Sequence, residues 1–263
     1  MILFEMEQLI DRQKKRWLLL LLTLLAVSIA SKFLIGSDIR SGFVTNAWDF
    51  MLASVTQMFF AIVIIPVIYL LSISDLVIRD MNGFLHYVLF RAKNRYVWWL
   101  AKFILLFLHA VLVVCFTLFC LWIAALFWGF PLTGPVLYPH YAIMETPFVF
   151  ASIFAIHTLA LFALGLLVTL ISLWTKSVII SGCIGLLLCV VAFGTHIYQP
   201  DIAGWLPTTP MRLDLHHPYN PHRTITNFTV QHSVGYLFFL ITIFHFLGAL
   251  RIRCMNFFIK ERS

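Results

Sequence analysis

The chain has 263 residues, of which 62% are hydrophobic and only 11% charged, with a mean hydropathy of +0.96. Soluble domains carry about a quarter charged residues, so this composition describes an all-α polytopic membrane protein with no soluble domain left over. The net charge of +7 does not point to nucleic acid, because the Lys and Arg sit at the ends of apolar stretches, where the positive-inside bias places them.

Residues 1–16 put Ile2, Met6, Leu9 and Ile10 on one helical face and Glu5, Gln8, Arg12 and Lys15 on the other. That pattern predicts a short amphipathic helix in the plane of the membrane interface; a frayed tail ending in a stop-transfer charge cluster fits it equally. Mixed acids and bases, followed by an apolar segment long enough to span, exclude a cleavable signal peptide. Six apolar stretches come next, at about 17–36, 48–74, 97–129, 143–174, 177–198 and 234–250. Each reaches or approaches the roughly 20 residues that cross a hydrocarbon core. The third and fourth exceed that length and must tilt or project. Trp98, Trp99, Trp128 and Tyr141 are expected at the interfaces. With the N-terminus inside, only Lys32, Arg40, Arg212 and Arg223 of the eighteen Lys and Arg fall outside. The sequence therefore predicts a cell-membrane protein with both termini cytoplasmic.

The inner loop at 75–96 is the longest of the cytoplasmic connections. Leu76, Ile78, Met81, Phe84, Leu85, Val88 and Leu89 recur at three- and four-residue intervals, which predicts a helix with one apolar face. Arg79, Arg91, Lys93, Arg95 and Lys102 in and beside it supply a basic cluster. The exterior segment 199–233 carries Pro200, Pro207, Pro210, Pro218 and Pro221 but keeps Ile202, Trp205, Leu206, Met211, Leu213 and Leu215. It reads as a partly ordered, partly lipid-facing cap with short helical pieces.

Several chemistries have no motif. GxxxxGK[ST], HExxH and GxSxG are all missing, so the chain has no P-loop of its own and none of the commonest hydrolase signatures. No Asp, Glu, Lys or Arg falls deep within a span; Lys32, Asp49, Lys102, Glu145 and Lys176 lie near the predicted ends, which counts against an ion-coupled carrier. His109, His157 and His245 are expected near the middle of three spans, where facing imidazoles would suit haem but a packing role is commoner. His196, His216, His217, His222 and His232 cluster by the last exterior loop, where a solvated or interfacial role outweighs a metal site. The five cysteines show no metal spacing and no exterior pairing. Gly165, Ser181, Gly182 and Gly185 are expected to let helices approach closely.

This layout resembles the membrane permease of type-2 ABC exporters. The likeness covers nearly the whole chain in architecture and, residue by residue, centres on the loop after the second span. Permeases of that family have an amphipathic N-terminal helix, six spans and a cytoplasmic loop whose short helix docks on the ATPase. That loop typically runs from an acidic residue through a glycine and a basic cluster to an aromatic–Lys entry into the third span. The counterparts here are Asp75 or Asp80, Gly83, Arg91 with Arg95, and Trp98-Trp99 with Lys102, with Asp where Glu is common. Leu206-Pro207-Thr208 stands where such permeases read similarly in their exterior cap. The resemblance implies docking on an ABC ATPase subunit, with Leu85, Val88 and Leu89 as apolar grips and Arg91 and Arg95 paired to acids or lipid phosphate. It also implies no cofactor in this chain, ATP and Mg in the partner ATPase, a second permease copy or a related one, and an amphipathic cargo such as a peptide, lipid or hydrophobic drug. A basic patch on anionic lipid is the plainer reading of the same loop. A haem-binding oxidoreductase and an ion-coupled transporter are the alternatives at the level of the whole protein.

Overall fold

A computed structural model describes residues 14–79, 95–133, 146–198, 204–217, 219 and 228–254. Among the described residues the fold is all-helical, with no strand beyond one isolated bridge between His217 and Thr229. The long helices are α1 (Lys14–Leu34), α4 (Ile65–Arg79), α5 (Arg95–Phe127), α6 (Thr146–Thr175), α7 (Val178–Tyr198) and α8 (Val230–Cys254); short α2 (Gly36–Arg40) and α3 (Ala47–Thr56) lie between α1 and α4. Among the described residues five helices are long and apolar enough to cross a membrane, and a bent pair would make a sixth. The chain path gives the bundle two ends. One, here the terminal face, holds the starts of α1, α5 and α7 and the ends of α4, α6 and α8; the other is the cap face.

Helix α6 is the hub. Of its apolar window 83% is buried, against 22% for each of α1, α7 and α8. It packs on α5, α7 and α8, while α1 leans on α5 and α4 on α7. Two of the four predicted small residues mark close approaches. A β-carbon at Gly165 would overlap the Tyr69 ring, and one at Gly185 would come within 2.8 Å of Val168 Cγ2. Gly182 faces open space, so its smallness serves no contact here.

The second predicted span, 48–74, is not one straight helix. Helix α3 and the Phe60–Ile73 segment meet at a 66° bend around Gln57. Gln57 ends α3 in an extended conformation, and its Oε1 then accepts the Phe60 N–H at 2.8 Å. One residue thus closes one helix with its backbone N–H and caps the next with its side chain. A π-helical turn, Phe60–Ile64, follows directly ahead of Pro66. Proline lacks an N–H and crowds the carbonyl four residues back, so a local change of helical pitch is a known way to absorb it.

Helix α3 is enclosed by protein from Asp49 through Thr56. Buried Asp49 is well satisfied: its carboxylate accepts from Thr45 N at 3.2 Å and Thr45 Oγ1 at 3.0 Å, and its own N–H donates to the Asn46 cap at 2.9 Å. An acid in the first turn also suits the helix dipole. Ala47 N donates to Pro131 O at 2.9 Å and Trp48 Nε1 to Leu132 O at 3.2 Å, tying the α5–α6 connection to the start of α3.

The cap segment differs from expectation in one respect. It does contain short helical pieces, the 3-10 turns Thr209–Met211 and Leu213–Leu215. Its apolar residues Met211, Leu213 and Leu215, however, point inward and are buried, whereas Trp205 faces out. The first of these turns sits on α6 and on the π-helical turn, so the cap plugs the bundle above the bend.

Candidate functional site

Of the predicted docking residues, Asp80, Gly83, Leu85, Val88, Leu89 and Arg91 lie outside the described residues, as does the predicted interfacial helix up to residue 13. The two that bracket the loop are placed. Asp75 belongs to α4, which runs to Arg79, and Arg95 is the first residue of α5. The helix thus continues past the predicted loop start, because Leu76 and Ile78 keep the apolar helical period going. The described part of the site is therefore the terminal-face end of the two helices that carry the loop.

The start of α5 is fastened to the end of α8. Trp98 and Trp99, expected at a lipid interface, are buried inside the bundle. The Trp99 indole N–H donates to the His245 carbonyl at 3.1 Å, and its ring stacks on the His245 imidazole at 6.1 Å between centroids. Gly248 makes room for it: a β-carbon there would overlap the indole. Phe103 meets the other side of His245 edge-on at 4.5 Å, and Tyr96 Oη lies 3.4 Å from His245 Nε2. Beside this clamp an open cleft of about 690 Å³ is lined by Tyr96, His245, Phe246, Ala249, Leu250, Ile252 and Arg253.

The cap face holds a second polar cluster. Arg212 Nε donates to Asp214 Oδ1 at 2.9 Å, its Nη2 pairs with Asp214 Oδ2, and its Nη1 reaches His196 Nε2 on α7. An arginine has no acceptor, so His196 Nε2 must be the unprotonated nitrogen. His216 Nδ1 donates to the Arg212 carbonyl at 3.0 Å, which leaves its Nε2 to accept the Ser233 hydroxyl proton at 2.8 Å. Burial holds His216 down to about 4, against smaller opposing effects from the Arg212 carbonyl and Asp214. Serine donating to histidine is the arrangement of an activated nucleophile. Here both residues are wholly enclosed, so no substrate reaches the hydroxyl, and the pair acts as a latch between the cap and the first turn of α8.

The family described as "Protein of unknown function (DUF2705)" matches residues 8–258. The chain belongs to the DUF2705 family. No curated protein and no solved structure matches it.

In this DUF2705 protein the three span histidines sit near the middle of their helices, as expected, but in separate neighbourhoods. His109 lies 2.7 Å from Ser72 Oγ and 4.8 Å from the Trp17 ring. His157 lies toward the cap, with Nδ1 donating to Ile153 O at 2.9 Å. His245 belongs to the Trp99 clamp. Of the loop histidines, His217 and His232 are exposed as expected, His196 and His216 are engaged as above, and His222 lies outside the described residues. Among the described residues no group of three His, Cys, Asp or Glu side chains is placed to hold a metal. Sequence reasoning missed the Trp99–Gly248 clamp and the His216–Ser233 latch. A glycine three residues before Arg251 at a basic helix end is a weak signal, and nothing local names its partner 149 positions away.

Proposed function

We propose that this protein is the membrane permease subunit of an ATP-driven exporter. It moves an amphipathic cargo by alternating access, and a separate ATPase subunit drives it through the inner loop. The observation that carries this reading is where the loop's two helices lead. Helix α5 is bound to α8 by the Trp99 indole at its first turns, and α4 runs back to the bend at Gln57 beneath the cap. A push on residues 80–94 would thus be delivered to two elements with a built-in lever. Rigid-body rocking of packed helices is an established way to change which side a path faces. Leu85, Val88 and Leu89 are the apolar grips, and Arg91 and Arg95 fix register on the ATPase. Two copies, or this chain with a related one, enclose the path, with the N- and C-termini on the ATPase side. The test is co-purification with a candidate ATPase: Leu85→Glu and Arg91→Glu are each expected to abolish the complex, and an intact complex in both removes the docking assignment.

The bend itself favours one second reading. Broken helices expose backbone carbonyls at depth, a feature that ion-coupled carriers use to bind cations. Vesicles holding this chain alone would then accumulate cargo on an imposed ion gradient with no ATPase present.

A further inference from the structure

The cleft between α5 and α8 has a composition that neither reading of transport requires. Its apolar floor follows one stripe of α8, with Phe246, Ala249, Leu250 and Arg253 at i, i+3, i+4 and i+7. Phe246 and Leu250 are exposed on the outer surface of the bundle, 62% and 43% respectively, so the cleft opens sideways toward lipid and not only to water. Exposed Arg253 closes its polar end, in the last turn of a helix that has just crossed the apolar layer. Tyr96 supplies a phenol on the opposite wall, and His245 Nδ1 is enclosed without a hydrogen-bond partner. Among the described residues no carboxylate lines the cleft, and Arg253 is its charged group.

We propose that this cleft is a site for one anionic glycerophospholipid of the leaflet at the terminal face. The phosphate sits on the Arg253 guanidinium, and an acyl chain lies along Phe246 and Leu250. A guanidinium offers a planar fork that matches phosphate. The charge at the polar end selects for an anionic headgroup, and the length of apolar stripe below it selects a tethered lipid over a free anion. The volume of about 690 Å³ holds a headgroup and the upper part of a chain, with the remainder left in the bilayer. This inference does not rest on the transport reading and stands if that reading fails.

The experiment uses the full chain in detergent, titrated with phosphatidylglycerol or with phosphatidylcholine of the same acyl chains. Bound lipid is counted by native mass spectrometry, and thermal stability is followed in parallel. One phosphatidylglycerol is expected to bind in preference to phosphatidylcholine and to raise the melting temperature. Arg253→Gln is expected to weaken its binding about tenfold, since a charge-assisted pair is lost. Leu250→Trp keeps every charge, fills the cleft from a surface position that tolerates bulk, and is expected to weaken binding as much. Arg40→Gln, on the cap face, is expected to change nothing. Equal binding of the two lipids overturns the proposal, and so does a preference that survives Arg253→Gln. A preference lost in Arg253→Gln but kept in Leu250→Trp means diffuse attraction to a basic surface, and it overturns the proposal as well. Inorganic phosphate giving the same stabilisation as phosphatidylglycerol does so too, because the site then reads a free anion.

Discussion

The indole of Trp99 occupies the space that a β-carbon on Gly248 would need. Helices in a bilayer gain little from hydrophobic contact with one another, since lipid is equally apolar, so close packing and interhelical hydrogen bonds carry their association. At this point α5 and α8 have both, from one aromatic side chain and one missing one.

Gly248→Val is therefore expected to lower stability by about 1–3 kcal/mol, the usual cost of forcing extra carbons into a packed site. Gly182 is the matched control, because nothing stands within 4 Å of a β-carbon there. Gly182→Ala is expected to be neutral or to stabilise by up to about 1 kcal/mol, the helix-propensity gain alone. Unfolding of both variants in mixed micelles compares them directly; equal losses would mean that the Trp99 contact does not hold the helices together.

Trp99→Phe tests the other half of the clamp. Phenylalanine keeps most of the ring but loses the N–H that donates to the His245 carbonyl, a loss of about 0.5–1.5 kcal/mol. If α5 transmits force from the inner loop to α8, transport should fall further than stability does. ATP-driven uptake into inverted vesicles, measured at matched protein folding, separates the two effects. A variant as active as wild type would leave the clamp with a packing role only.

Much of the fold was legible because membrane helices satisfy their own backbone and announce themselves by apolar length. The start of α5 at Arg95 and the end of α7 at Tyr198 fall within a few residues of where hydropathy puts them. The bend at Gln57 was not legible: a glutamine within an apolar run is no breaker by propensity, and its role depends on Oε1 reaching the Phe60 N–H. The burial of Trp98 and Trp99 against protein was not legible for a related reason. Tryptophan near a span end suits an interface equally well from the lipid side or the protein side, and only the partner helix decides. His216 hid in a loop that reads as polar, while Ser233, seventeen residues on, supplies the hydrogen bond that makes its burial tolerable.

Acidification is expected to loosen the cap. His216 is held neutral, down to about 4, by burial, while in the unfolded chain it titrates near the ordinary histidine value of 6.5. Between those two values the unfolded state binds a proton that the native state refuses, so stability falls as pH drops from about 6.5 to 4 and is fully present above that window. The difference amounts to about 3 kcal/mol at the acid end. Arg212, Asp214, Ser233 and the nearby His232 are the polar groups acting on the ring, and Phe228 packs on it at 4.4 Å. Hydrogen exchange in the 209–217 segment should accelerate across this window. His216→Gln, which cannot titrate, should flatten the profile; an unchanged profile in that variant would assign the pH response elsewhere.

The bend in the second span makes the sharpest prediction. Gln57 Oε1 accepts the Phe60 N–H, and the Gln57 carbonyl accepts the Ala61 N–H at 2.9 Å, so the residue starts the π-helical turn with both of its oxygens. Gln57→Leu roughly keeps size but removes the side-chain acceptor, leaving a backbone donor unsatisfied in a part-buried place. If the bend is fixed by its surroundings, the variant keeps its shape and loses about 1–3 kcal/mol, the cost of an unpaired buried donor. If Gln57 alone holds the bend, the helix straightens across the break, the Phe60 N–H regains a carbonyl four residues back, and little stability is lost. Helix α3 is enclosed and pinned at its start by Pro131 and Leu132, so straightening would drag the α5–α6 connection with it, and the first outcome is expected. Spin labels at Leu71 and Phe43, both exposed, report the angle by their separation. An unchanged distance with reduced stability supports a bend set by tertiary packing, whereas a longer distance at wild-type stability would show that a single side chain sets it.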